Sequence, residues 1–156
     1  MSAIPARLLA HPPVFLATGF GSGLSPVAPG TAGTLVALLL FVFLQDTTWP
    51  LLSICVLGFL AGIPLCQRTS DRLGVHDHGG IVWDEFIGMW VTLLWVPLSL
   101  TSIVAGFLLF RLFDILKPWP IGPLDKRVHG GLGIMLDDLI AGVFANLCLQ
   151  LLLIYL

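Results

Sequence analysis

The distribution of charge is the feature of this sequence that most limits what it can fold into. Every Lys and Arg lies in residues 1–30, 67–85 or 111–138, and every acid except Asp46 lies in the same three segments. The remainder is almost continuously apolar, so that 57% of the chain is hydrophobic and only 10% is charged. An ordinary soluble domain is about a quarter charged. The pattern therefore predicts a membrane protein.

The apolar stretches are long enough to be membrane helices, which need ~20 mainly apolar residues each. They lie at about 31–44, 51–66, 86–110 and 139–156. The third contains Pro97 near its middle. Proline removes a helix hydrogen bond and disfavours helix at the preceding residue. We therefore expect two half-length helices, at about 81–96 and 101–117, joined by a turn at Pro97, which brings the total to five main helices.

The charges favour this hairpin over one long helix. A straight helix would hold Asp84 and Glu85 ~35 Å or more from Asp114, whereas a turn at Pro97 brings all three charged segments to one face. The positive-inside rule makes that face cytoplasmic, and Asp46 then marks a turn on the opposite side. The sequence predicts an all-α polytopic membrane helical bundle with a single domain, residues 1–156.

Composition also excludes some classes of protein. The net charge of -2 and the absence of a basic stripe argue against a nucleic-acid surface. Cys55, Cys66 and Cys148 are odd in number, lack a C-x-x-C spacing and lie in apolar segments. We expect them to act as small hydrophobic residues rather than as a disulfide framework. The sequence does not indicate an oligomeric state.

The acids of the charged segments predict a metal site. Five carboxylates are expected to meet on the charged face: Asp84, Glu85, Asp114, Asp137 and Asp138. Each alone could be a helix-dipole partner or part of a surface ion-pair ladder. Together, neighbours ~4 Å apart would repel by about 4 kcal/mol at an effective dielectric near 20. Arg111 and Lys117 offset two of these charges, and a hard divalent cation, Mg²⁺ rather than Zn²⁺, would offset the rest.

A loop rich in Gly and Pro, residues 19–34, precedes the first long helix. Free N–H groups at a helix N-terminus bind phosphate, which makes Gly30 and Thr31 candidate phosphate-binding residues. The loop lacks the G-K-[ST] ending of a P-loop, and by itself it is equally well explained as a turn that enters a membrane helix. Beside Arg111 and Lys117 it predicts a phosphate cradle.

Four blocks of the sequence resemble the signature blocks of the bacterial phosphatidylglycerophosphatase A family in order and in spacing. They are residues 21–31, 76–85, 110–121 and 130–138. The resemblance covers about residues 11–147. It implies a Mg²⁺-dependent phosphatase of the bacterial inner membrane, with its active site on the cytoplasmic side. The implied reaction converts the lipid phosphatidylglycerophosphate to phosphatidylglycerol and inorganic phosphate.

The resemblance also implies roles for individual residues. The family's acidic positions correspond to Asp77, Asp84, Glu85, Asp114, Asp137 and Asp138, and its basic positions to Arg111 and Lys117. The metal would be held by Asp84, Asp137 and Asp138, with Glu85 or Asp114 completing the shell, and would activate a bound water. Arg111 and Lys117 would neutralise charge on the phosphoryl group. The helices would leave a gap on the lipid side for the acyl chains.

Several alternatives stay open at this stage. The sequence does not decide between one metal ion and two, or between water and an aspartate, Asp84 or Asp114, as nucleophile. It also leaves open the breadth of lipid phosphate substrates and the roles of His76, Asp77 and His78, which are ligands, a proton relay or interfacial loop residues.

Two other classes of protein compete with the phosphatase. A divalent-cation transporter or channel would also gather acids, but near the bilayer midplane rather than at the ends of segments. A structural membrane subunit would need no carboxylate cluster at all.

Overall fold

The structure, a computed structural model, describes residues 4–44 and 48–154. These residues are helical, without a strand, which confirms the predicted all-α class. Short 3-10 helices at Ala6–Ala10 and Ser22–Leu24 accompany seven α-helices. The α-helices are α1 (Pro12–Ala17), α2 (Pro29–Phe41), α3 (Thr48–Leu73), α4 (Trp83–Thr92), α5 (Leu100–Leu116), α6 (Ile121–Arg127) and α7 (Gly130–Ile154). The five longest are the five main helices predicted. The turn predicted at Asp46 lies outside the described residues.

Helices α3 and α7 are long and apolar enough to cross a membrane. The stretch Pro50–Leu73 has 24 residues and a mean hydropathy of 1.9, and Gly130–Ile154 has 25 residues and a mean hydropathy of 1.8. At 1.5 Å per residue each is ~36 Å long, more than the ~30 Å of a hydrocarbon core. Only 22% of the apolar window in α3 is buried, against 56% in α7. Helix α7 is therefore the central helix, and α3, α4, α5 and α6 contact it.

The break predicted at Pro97 is confirmed. Helix α4 ends at Thr92 and α5 begins at Leu100, close to the predicted bounds of 81–96 and 101–117. Ser99 caps α5, because its hydroxyl accepts from the Ser102 N–H at 3.0 Å while the Ser102 hydroxyl accepts from the Ser99 N–H at 2.8 Å. The Ser102 hydroxyl also lies 2.7 Å from the Pro97 carbonyl oxygen. The turn is thus fixed by local hydrogen bonds.

The predicted start of the last helix is wrong. The apolar segment expected to form it lies at about 139–156, but α7 begins at Gly130. Its first turn crosses α3 so closely that a Cβ on Gly131 would overlap the Ile63 carbonyl oxygen. Glycine is retained here for close approach rather than for a loop. Asp137 and Asp138 therefore lie two turns inside the helix and are not at its start.

Helices α4 and α7 approach each other closely at two glycines. A Cβ on Gly142 would overlap the Gly88 carbonyl oxygen, and a Cβ on Gly88 would lie 2.7 Å from the Asp138 carbonyl oxygen. Glycine at both positions lets the two backbones approach this closely. It places the first turns of α4, which carry Asp84 and Glu85, beside the part of α7 that carries Asp138.

Candidate metal and phosphate site

Three carboxylates from α4 and α7 form a compact cluster, here called the carboxylate trio: Asp84, Glu85 and Asp138. One oxygen from each lies within 4.8 Å of the other two. The three residues are buried, with exposed fractions of 8%, 9% and 3%. Residues separated by more than 50 positions in the sequence are thus brought together, as the charge pattern predicted.

The trio is not balanced by its surroundings. Burying carboxylates away from water is costly unless they are paired, and here three share one site. Glu85 Oε2 is buried and has no hydrogen-bond partner among the described residues. The available ligand atoms are all carboxylate oxygens, which suit a hard cation such as Mg²⁺ better than Zn²⁺. The trio therefore fits a divalent cation bound by oxygen.

Arg111 lies beside the trio and brings α5 into the site. Its Nη1 is 2.6 Å from Asp114 Oδ2 and 3.9 Å from Glu85 Oε1. The same nitrogen is 3.4 Å from the Thr34 hydroxyl of α2. Both Arg111 and Asp114 have side chains that are 15% exposed. The guanidinium thus shares its charge between two carboxylates and keeps a face toward the site.

Asp114 is outside the trio but close to it. Besides its ion pair with Arg111, its carboxylate interacts electrostatically with that of Asp138. Its ion pair at 2.6 Å favours a role in orienting Arg111, while its interaction with Asp138 places it at the edge of the trio. Its assignment as a metal ligand stays a prediction.

The first turn of α2 faces the same cluster. A Cβ on Gly30 would overlap Glu85 Oε1 and would lie 3.1 Å from Arg111 Nη1. Thr31 follows in the same turn, and the N–H groups of a first turn have no carbonyl partner within their own helix. The fold therefore brings the predicted phosphate-binding segment next to Arg111, where an anion would meet both N–H donors and a guanidinium.

Lys117 lies elsewhere than the sequence predicted. The helix predicted at about 101–117 included Lys117, but α5 ends at Leu116 and Lys117 takes a left-handed conformation with a φ of 44°. Its Nζ lies 2.5 Å from Asp137 Oδ2 and 2.8 Å from Asp125 Oδ1. The end of the helix therefore separates Lys117 from Arg111 and Asp114 and gives it different acidic partners.

The residues Lys117, Asp125 and Asp137 form a second charged group, here called the lysine cluster. Burial alone would lower the pKa of the Lys117 ammonium, but its hydrogen bonds to Asp125 and Asp137 outweigh that effect and raise the pKa above its usual range. Lys117 is therefore protonated at neutral pH. Asp125, in α6, was not singled out from the sequence, because nothing in its flanking residues indicates its partner.

Asp137 differs from its neighbour Asp138 in having a cation of its own. Its Oδ2 contacts Lys117, and its Oδ1 accepts from the Asp138 N–H at 3.0 Å. Asp137 is outside the group of ligand atoms that lie within 4.8 Å of one another. Its assignment as a metal ligand stays a prediction, while its contacts favour a role in positioning Lys117 and Asp138.

The loop that contains His76 and His78 contacts the start of the central helix, α7. His76 Nε2 accepts from the Gly130 N–H at 2.9 Å and so caps α7, whose first N–H groups lack carbonyl partners. His78 is buried, and its Nδ1 accepts from the Gly80 N–H at 3.0 Å. Asp77, between them, is exposed and has a φ of 50°. These contacts favour the loop role among the alternatives for the two histidines.

The chain is similar to known proteins along most of its length. The family model described as phosphatidylglycerophosphatase A matches residues 15–153. A phosphatidylglycerophosphatase A of Escherichia coli K12 is 50% identical over 139 residues, which cover 88% of this chain and 81% of that protein. The phosphatidylglycerophosphatase A of Haemophilus influenzae is 49% identical over 140 residues, which cover 88% of this chain and 86% of that protein.

A third relative carries a different substrate in its name. A protein of Bacteroides thetaiotaomicron, named as a candidate phosphatidylinositol-3-phosphatase, is 40% identical over 142 residues, covering 85% of this chain and 88% of that protein. No solved structure matches the chain at a significant level. The family model and the first two relatives agree with each other and with the four sequence blocks. The chain therefore belongs to the phosphatidylglycerophosphatase A family.

Proposed function

We propose that this protein hydrolyses the terminal phosphomonoester of phosphatidylglycerophosphate, releasing phosphatidylglycerol and inorganic phosphate. Family membership and the names of the two relatives that are about half identical support this substrate. The observation that carries the chemistry is the buried carboxylate trio beside Arg111 and the first turn of α2. Anion-binding donors and metal-binding oxygens thus lie side by side, as phosphate hydrolysis requires.

The trio would hold Mg²⁺. Among the described residues, Arg111 is the one cationic side chain within 4.0 Å of its oxygens. Arg111 contacts Glu85 of the trio and also forms an ion pair with Asp114. When bound, Mg²⁺ would supply Lewis acidity to a phosphate oxygen and to an attacking water. A water nucleophile is the simplest proposal, because Asp84 then stays a ligand and Asp114 keeps its ion pair with Arg111. A substrate that is chiral at phosphorus would distinguish the two, because one direct attack by water inverts the configuration and two successive displacements through an aspartate retain it.

The remaining residues bind and position the phosphoryl group. Arg111 presents a guanidinium whose planar donors match phosphate oxygens, and Asp114 orients it. The N–H groups of Gly30 and Thr31 would donate to the same group. Lys117, whose side chain is 27% exposed, would supply a second positive charge near the site. These donors neutralise the charge that the leaving phosphate carries.

The site would lie at the cytoplasmic face of the bacterial inner membrane. Helices α3 and α7 are long and apolar enough to span a bilayer, and the basic segments of the chain fall on the face of the trio under the positive-inside rule. The five main helices would then form a multi-pass protein. A phosphate at headgroup height would reach the trio without moving its acyl chains into water.

Phosphate release by the purified protein tests the proposal. We expect hydrolysis of phosphatidylglycerophosphate with Mg²⁺ and its loss in EDTA, with turnover lowered ~100-fold or more by Asp84→Asn. Asp71→Asn is the matched control, because Asp71 is exposed and its carboxylate contacts only Gln67 among the hydrogen bonds described. Phosphatidylinositol 3-phosphate belongs in the substrate panel because of the third relative's name. Full activity in EDTA would reject the metal, and divalent-cation flux into vesicles without hydrolysis would favour a transporter.

A further inference from the structure

An apolar groove of about 440 Å³ lies between α3, α4 and α7. Its walls include Val56 and Phe59 of α3, and Leu139 and Val143 of α7. Trp95, just beyond the end of α4, also lines it. A volume of this size is within the range of sites for small organic ligands.

The lining of the groove is apolar except for one amide side chain, and that amide is already hydrogen-bonded within the protein. Of the twelve residues around it, only Asn146 has a polar side chain other than an indole. The Asn146 amide nitrogen donates to the carbonyl oxygens of Thr92 and Leu94 at 2.9 and 2.8 Å, and its oxygen accepts from Gln150 at 2.7 Å. An occupant therefore needs no polar atoms, and hydrocarbon fits the lining best.

The groove is open to the bilayer rather than to water. It is flanked by α3 and α7, the two helices long and apolar enough to span a membrane. Val56 and Leu60 on its α3 wall are 51% and 56% exposed, so the wall continues onto the outer surface of the helix. In a membrane, the medium at this surface is lipid acyl chain.

The groove and the trio are built on the same pair of helices. On α7, Leu139 directly follows Asp138, and Leu147 lies nine residues beyond it, or ~14 Å along the axis. On α4, Val91 lies seven residues, or ~10 Å, beyond Asp84. The groove thus begins near the level of the carboxylates and continues away from them along the helices. The acyl chain of a lipid whose headgroup is at the trio would extend in the same direction, away from the carboxylates and along the helices.

We propose that the groove is an acyl-chain subsite that holds one chain of the lipid phosphomonoester while its headgroup is hydrolysed at the trio. Val56 and Leu60 are exposed on the outer surface of α3, so the chain would enter sideways from the bilayer. The subsite rests on the proposed phosphatase function. It gives the enzyme a reason to prefer long-chain lipids over soluble phosphomonoesters.

Groove-filling variants test the subsite. Val143→Trp and Val56→Trp replace half-exposed or exposed groove residues, which makes misfolding less of a risk than at the buried Val91. Leu108→Trp is the matched control, because Leu108 is 60% exposed on α5 and does not line the groove. Each variant would be assayed in detergent micelles on a dipalmitoyl substrate and on the same headgroup phosphomonoester without acyl chains. Thermal unfolding and size-exclusion chromatography would check the fold and the mass.

We expect both groove variants to lower kcat/KM about tenfold on the dipalmitoyl substrate and to leave the acyl-free substrate unchanged. Leu108→Trp should change neither. An equal loss on both substrates would mean that the groove residues support the fold or contact bulk lipid rather than the substrate. No loss on either substrate would mean that the groove has no role in hydrolysis. A fall in particle mass would make it an interface between copies. Each result overturns the subsite, whereas a wild-type protein that hydrolyses neither substrate would overturn the phosphatase itself.

Discussion

Two charged clusters contain neighbouring residues of α7, Asp137 in the lysine cluster and Asp138 in the carboxylate trio. The clusters differ in how their charges are balanced. In the lysine cluster, Lys117 lies within 2.8 Å of both Asp125 and Asp137. In the carboxylate trio, three buried acids have Arg111 as their neighbour, and it is 3.9 Å from Glu85 but 2.6 Å from Asp114. In the lysine cluster, the negative charges are therefore largely balanced by a positive charge of the protein itself. The carboxylate trio is left with excess negative charge and a buried, unpartnered Glu85 oxygen.

The difference separates residues that can hold the fold by themselves from residues for which we propose a bound cation. An ion pair with two acids can position α5, α6 and α7 relative to one another without any added group. A buried excess of carboxylates costs stability, and a cation that binds there recovers it. Variants in the two clusters should therefore change different properties of the protein.

The largest effect is expected from Asp138→Asn. The substitution keeps the shape of the side chain and removes one charge of the trio, so turnover on phosphatidylglycerophosphate should fall ~100-fold or more. In EDTA the variant should unfold at the same temperature as the wild type or higher, because a like-charge repulsion is gone. Phosphate release and thermal unfolding measure the two effects. A variant that is both active and destabilised would place Asp138 with the structural residues.

A smaller loss is expected from Arg111→Lys. Lysine keeps the positive charge, but its one nitrogen would replace the Nη1 that contacts Asp114, Glu85 and Thr34 and would leave no second nitrogen for the phosphoryl group. We expect kcat/KM to fall ~10-fold, with the Mg²⁺ concentration for half-maximal activity little changed. Steady-state kinetics across Mg²⁺ concentrations would show it. Wild-type kcat/KM in this variant would mean that the guanidinium does not contact the phosphoryl group.

The smallest effect is expected from Asp125→Asn. The pair is partly exposed, with 27% and 35% of the two side chains accessible, and such pairs contribute about 0–1 kcal/mol. Asp137 stays to hold Lys117, so activity should change no more than about threefold, and the free energy of unfolding by less than ~1 kcal/mol. Chemical denaturation and the phosphate assay test both. A loss as large as that of Asp138→Asn would remove the distinction between the clusters.

The fold was predictable where the sequence carries a local signal. Pro97 interrupts an apolar segment, and the structure ends one helix and begins another around it. The grouping of charges into three segments was enough to predict that Asp84, Glu85 and Asp138 meet. These conclusions depend only on helix geometry and on the cost of charge in a membrane.

What the sequence did not predict depends on tertiary contacts. Gly130, Gly131 and Gly133 favour a loop in isolation, and the crossing of α3 at Gly131 explains why they are helical. Lys117 was placed on a helix by periodicity, but a left-handed residue before Pro118 ends the helix and turns the side chain toward Asp125. Which acid meets which cation follows from that turn. No spacing in the sequence encodes it.

Binding of Mn²⁺ in place of Mg²⁺ tests the trio most directly, because Mn²⁺ also prefers oxygen ligands and can be counted by electron paramagnetic resonance. The wild-type protein in detergent, without substrate, should bind Mn²⁺ that Mg²⁺ displaces, and Asp125→Asn should bind it equally. Asp84→Asn and Asp138→Asn should each lose the bound ion at the same concentration while remaining folded. Equal Mn²⁺ binding by all four proteins would contradict a metal site at the trio.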